Sequence, residues 1–137
     1  RQTEAPAATI TEAVLNLFDC WIIQDLFDSR LEFAIRTWAL TDPALAKTLA
    51  AADATRIAAI KTMFLRFGYP DAEADIRAHT VYLTQIGYIS MRVNEAAAIR
   101  MARIPSYVQI YTGVFPAARE IARFHAQHNF VPDQSSA

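Results

Sequence analysis

The apolar residues of this chain recur mostly at spacings of three and four, and only three glycines, Gly68, Gly87 and Gly113, break the pattern. That period belongs to the α-helix. The expected fold is therefore all-α, a bundle of about six to seven helices in a single domain over residues 1–137. Residues 1–8 and 131–137 read as loose ends. At 137 residues the chain can bury a core without disulfides or metals.

Local signals divide the pattern into elements. Thr9-Ile-Thr-Glu12 has the form of a capping box, opening a helix whose Val14, Leu15, Leu17, Phe18, Trp21 and Ile22 make a wide apolar side and which stops before Asp28. Ser29-Arg-Leu-Glu32 repeats the box and opens a second helix, with Leu31, Ile35 and Trp38 on one side. Asp42-Pro43 is a strong helix start, so the second helix ends near Leu40, and Trp38 is the largest apolar side chain available to anchor that corner in a core. A long helix follows to Phe67, with Asp53 as a candidate break, and is closed by Gly68 and Pro70.

Asp71 is expected to cap the next helix, in which Ala78 to Met91 contains no Asp, Glu, Lys or Arg. A helix of that kind is buried on more than one face, and Gly87 within it costs about 1 kcal/mol against Ala unless another helix approaches closely. Asn94 is a candidate cap for a further helix that Pro105 kinks or restarts. A second charge-free stretch runs from Ile104 to Ala118, and Pro116 starts a last amphipathic helix to about His128 through Ile121 and Phe124.

Hydrophobic residues make up 53% of the chain, rich enough in apolar side chains that a partner is expected to cover part of the surface. With 13 basic and 14 acidic residues, the chain alone has no basic footprint for nucleic acid. Cys20 cannot pair within the chain and reads as a small core hydrophobe in a reducing compartment. No apolar run is long enough to cross a bilayer, no leader occurs at Arg1, and a cytoplasmic location is expected. The chain begins at Arg1 rather than Met, so it is expected to belong to something longer.

No phosphate loop, nucleophile elbow, Cys-x-x-Cys or His-Glu-x-x-His occurs, so no catalytic residue, metal ligand or cofactor is assigned. His125 and His128 have a spacing that could hold a metal, but with no third ligand in view they read as a solvated pair near a helix end. Glu73 and Asp75, two apart, point to different sides of a helix and read as surface charge. Aromatic and sulfur side chains are plentiful, and Tyr82, Thr84 and Gln85 are the polar groups best suited to face a cavity among them.

Taken as strings, Arg30-Leu-Glu-Phe-Ala-Ile-Arg-Thr-Trp-Ala-Leu-Thr-Asp-Pro-Ala-Leu-Ala, then Asp53-Ala-Thr-Arg56-Ile and Phe64-Leu-Arg-Phe-Gly-Tyr-Pro, resemble the C-terminal half of tetracycline-repressor (TetR) family transcriptional regulators. The likeness continues through Ala72-Glu-Ala-Asp to Gly87 and fades beyond Met91. It implies an effector-binding and dimerisation domain, with operator DNA read only through a helix-turn-helix domain that would precede this chain. A small apolar ligand would be lined by Trp38, Phe64, Tyr82 and Gln85, with Trp21, Met63, Phe67 and Tyr88. A homodimer would be built from His79, Leu83, Ile86, Gly87, Ser90, Tyr107 and Ile110. The rival readings are a purely structural dimerisation module, which would have a filled core, and a helical-bundle enzyme, which would need titratable groups converging in a cavity.

Overall fold

The computed structural model describes residues 2–23 and 28–132. Among them lie six α-helices and no strand: α1 (Ile10–Ile22), α2 (Ser29–Ala39), α3 (Pro43–Arg66), α4 (Asp71–Ser90), α5 (Ala97–Thr112) and α6 (Ala118–Gln127). The chain is an all-α bundle, as its periodicity requires. The α3–α4 pair is the most extensive, and α2 lies across both while α1 packs on α5 and α6. Asp53 meets Tyr82 towards one end of the α3–α4 pair and Lys61 meets Asp71 at the other, so these helices run antiparallel. Their shared core centres on Phe64, Met63, Val81 and Val14, with Val108 and Phe124 closing it from α5 and α6.

The helix starts follow local chemistry, with shifts that the packing explains. Thr9 caps α1 by accepting the Glu12 N–H, but the Glu12 carboxylate reaches back to the Ala8 N–H at 2.8 Å, one residue before the box position. At α2 the cap is Asp28, whose carboxylate accepts from the Arg30 and Leu31 N–H groups, and not Ser29. This frees Glu32 from capping. Asp42 and Pro43 open α3 as expected, and α3 runs unbroken through Asp53.

Later starts depart further from the sequence reading. Asp71 is the first residue of α4, not its cap, and its carboxylate pairs with Lys61. Ala96 rather than Asn94 precedes α5, and Pro105 is accommodated inside that continuous helix. Gln2–Glu4, in a stretch read as loose, forms a 3-10 turn, and the Arg66 guanidinium donates to the Thr3 carbonyl at 2.9 Å. Residues 133–137, the rest of the expected loose tail, lie outside the described residues. The left-handed backbone at Gly68 and Gly113 ends α3 and α5 where a side chain would be strained.

The face of α2 that packs inward is turned away from the one its apolar residues suggest, with Ile35 half-buried between the two. Glu32 is 7% exposed and Arg36 half-buried, whereas Trp38 is 61% exposed and Leu31 also faces out. Trp38 therefore does not anchor the corner in a core. The cause is a charge network described below, in which α2 supplies a carboxylate and a guanidinium to partners on α3 and α4.

Glu120 ties the start of α6 to the start of α1. Its carboxylate accepts the Ala117 N–H at 2.8 Å, the Thr11 hydroxyl at 2.8 Å and the Thr9 hydroxyl. Burial pushes the Glu120 carboxyl up, but the hydrogen bonds from Thr9, Ala117 and Thr11 outweigh it and hold the group below the usual range. A carboxyl depressed in the folded state adds stability above its unfolded pKa and loses it as pH falls through the folded value. Glu120→Gln is expected to lower stability by about 1 kcal/mol at pH 7 and by much less at pH 3. Urea melts at the two pH values measure this, and an equal loss at both would rule out the carboxylate as the cause.

Candidate ligand-binding site

The end of α1, the first turn of α2, the last turns of α4 and the start of α5 surround an open cleft of about 570 Å³. That volume is in the range of small-molecule sites. Trp21, Phe33, Tyr88, Ile89 and Val93 give it apolar walls, and Ser29, Gln85 and Asn94 give it neutral polar groups. Arg30, Arg92 and Arg100 complete the lining, which contains no acidic side chain among the described residues. Helical spacing accounts for much of this: Gln85, Tyr88 and Ile89 stand at i, i+3 and i+4 of α4, and Ser29 and Phe33 at i and i+4 of α2.

Two of the arginines are held against aromatic rings. The Arg92 guanidinium lies 5.0 Å from the Phe33 ring centre, and that of Arg100 lies 5.5 Å from the Tyr88 ring centre. Arg92 occupies the left-handed region at φ 51°, where glycine is the residue without cost. The turn is closed by the Val93 N–H donating to the Tyr88 carbonyl at 3.0 Å. Behind the cleft, Tyr88, Tyr107 and Tyr111 form a file of rings leading to Phe18, and the Tyr88 and Tyr107 hydroxyls are hydrogen-bonded. Burial pushes the Tyr111 hydroxyl up to about 12, so that hydroxyl stays neutral over the whole physiological range.

A second cluster lies further along α4. The Arg36 guanidinium grips Asp53 with both terminal nitrogens, at 2.6 and 3.0 Å, and reaches Glu32 at 2.8 Å. Arg56 pairs with Glu32 at 3.1 Å, and both arginines donate to the Tyr82 hydroxyl, which in turn donates to Asp53. Burial acts to raise the Asp53 carboxyl, but hydrogen bonds from Arg36 and Tyr82 outweigh it and leave it lowered. Every carboxylate in the cluster has a cationic partner, so the arrangement clamps three helices and leaves no free base.

Of the residues expected to line a ligand site, Trp21, Gln85 and Tyr88 border the cleft. The others do not. Trp38 is on the solvent side of α2, Met63 and Phe64 are enclosed in the core, and Phe67 is half-buried beneath the Arg66 guanidinium. Tyr82 spends its hydroxyl in the charge cluster. The sequence reading missed Arg30, Arg92 and Arg100 because a search for aromatic and sulfur side chains passes over cations. The signal available was the placement of Arg30 and Phe33 on the first turn of a helix and of Arg92 one turn beyond Tyr88.

Of the residues expected at a dimer interface, His79, Leu83, Ser90 and Ile110 are exposed, and Ile86, Gly87 and Tyr107 are half-buried. The charge-free part of α4 buries only one face in this chain, through Ala78, Val81, Tyr82, Gln85 and Ile89. No atom of another helix lies within 4 Å of where a Gly87 Cβ would stand, so no helix among the described residues accounts for that glycine. His125 and His128 are not a solvated pair. His128 bonds the Asp19 carboxylate at 2.5 Å, and the buried Nε2 of His125 has no partner among the described residues. Burial and the neighbouring His128 hold His125 below the usual imidazole range.

The chain is thus an all-helical domain with a cationic, aromatic-walled cleft, and no helix among the described residues is long and apolar enough to cross a membrane. Comparison with protein-family models, with curated proteins and with solved structures finds no match.

Proposed function

We propose that this chain is the effector-sensing and homodimerisation domain of a TetR-like transcriptional regulator, a cytoplasmic repressor whose DNA-reading domain precedes it. The observation that carries the reading is the division of α4 between two surfaces. One side of its C-terminal half, Gln85, Tyr88 and Ile89, borders the cleft, while Leu83 and Ser90 point away from it into solvent.

The outward side continues into an apolar face with α5. Ile76, Leu83 and Ile110 are 66%, 57% and 68% exposed, a large apolar display for the surface of a monomer. A second copy of the chain packing α4 and α5 against α4 and α5 would cover that face by two-fold symmetry, and the bare Gly87 backbone would allow close approach. Dimerisation and ligand binding then share one helix. A ligand that prefers one position of α4 shifts the dimer geometry, and with it the distance between two DNA-reading heads.

Sedimentation at micromolar concentration is expected to give a dimer, and Leu83→Asp combined with Ile110→Asp a monomer of unchanged helicity. A wild-type chain that sediments only as a monomer would remove the reading. So would a coding sequence with no helix-turn-helix ahead of Arg1.

A further inference from the structure

The cleft has a charge that the chain as a whole does not. Basic and acidic residues nearly balance, 13 against 14, yet the lining holds three arginines and no carboxylate among the described residues. Among the described residues, the acidic groups nearest in sequence are engaged elsewhere. Asp28 caps α2, Glu32 pairs with Arg36 and Arg56, Glu95 pairs with Arg103 at 2.9 Å, and Asp19 bonds His128. Three cations in one concavity reinforce one another's field, an arrangement that repels a cationic ligand and concentrates anions.

Two further observations point to a bound group. Gln85 is 5% exposed and borders the cleft. Its side-chain amide brings two donors and an acceptor to the cleft wall. Arg92 is held in a backbone region that favours glycine, and its guanidinium lies over the Phe33 ring, 5.0 Å from its centre. A guanidinium fork in that position matches a carboxylate with two parallel hydrogen bonds.

We propose that the cleft binds an organic anion, a small molecule with a carboxylate head for Arg92, Arg100 and Arg30 and an apolar body for Trp21, Phe33 and Ile89. This replaces the small apolar ligand expected from the sequence, and it rests on the cleft being the effector site. A head held by two arginines gains bidentate, charge-assisted bonds that a neutral head of the same shape cannot form.

The experiment uses decanoate, decanol and decylamine as anionic, neutral and cationic probes of similar length. Trp38→Phe, at an exposed position, leaves Trp21 as the sole tryptophan, so its fluorescence reports occupation of the cleft. Decanoate is expected to bind at least about ten-fold more tightly than decanol, and decylamine more weakly than either. Arg100→Gln should weaken decanoate about ten-fold and leave decanol unchanged. Arg92→Gly, which suits the backbone there, should do the same without loss of folding in a urea melt.

Equal affinity for decanoate and decanol, or arginine variants that bind decanoate unchanged, would overturn the anion assignment while leaving the cleft as a ligand site. Failure of all three probes to bind would overturn the cleft as a ligand site and the anion assignment together. Dimerisation is read separately by sedimentation.

Discussion

Replacing Arg36 with Met is expected to destabilise the fold by about 3 kcal/mol, a substantial part of the 5–15 kcal/mol typical of a domain. Arg36 bridges Glu32, Asp53 and the Tyr82 hydroxyl and holds Asp53 at 2.6 Å where Arg56 stands 3.9 Å away, and Glu32 and Asp53 have side chains only 8% and 24% exposed. Without the guanidinium, those two carboxylates are left in a poorly solvated pocket with Arg56 as their remaining partner. Desolvation that the ion pairs had offset is then uncompensated. Arg56→Met is the control, since its side chain is 42% exposed and water can replace much of what it supplies. Its cost should stay near about 1 kcal/mol. Urea denaturation of both variants measures the difference, and a loss below about 1 kcal/mol for Arg36→Met would show that the network is a surface feature rather than the clamp of α2. The Arg36 variant should also flatten the acid limb of the stability profile. Asp53 is held low in the folded state, so its contribution is present above its unfolded pKa and is lost as pH falls through the folded value.

Phe64→Ala is expected to cost about 3–5 kcal/mol. Its ring is 0% exposed and stands edge-on to Tyr69, 5.2 Å between centres, among core residues of α1, α3 and α4. Truncation removes the transfer free energy of a phenyl ring and leaves a void that rigid neighbours fill only in part. The same substitution discriminates between two roles. A residue lining an open cleft leaves no sealed void when truncated, and its replacement would alter ligand binding more than folding. A thermal or urea midpoint unchanged in Phe64→Ala would therefore return this residue to the ligand site expected from the sequence, against its enclosed position.

The expectation that Phe64, Met63 and Trp38 line a pocket failed for a physical reason. Core and pocket are built from the same residue types, and helical spacing gives only the side of a helix, not what faces it. For α2 even the side was misread. The apolar stripe of Leu31 and Trp38 is outside, and Glu32 and Arg36 are inside, because their charges are matched by Asp53, Arg56 and Tyr82 across two other helices. Those partners stand 17 to 46 residues away in the chain, beyond the reach of any local pattern. The gaps among the charged residues of α4 were legible, but their consequence was not, since the outward side of that helix is covered by nothing among the described residues.

Sequence alone determined the all-α class, the break between α2 and α3 at Asp42-Pro43, and the stops at Gly68 and Gly113, because capping and left-handed turns are decided within a few residues. Tertiary structure alone decided which face of α2 is buried, that Glu120 joins α6 to α1, and that Arg30, Arg92 and Arg100 converge on one cleft. Burying a charge depends on where its counter-charges stand in space, and a cavity is the space between elements, so neither is written in the period of any single helix.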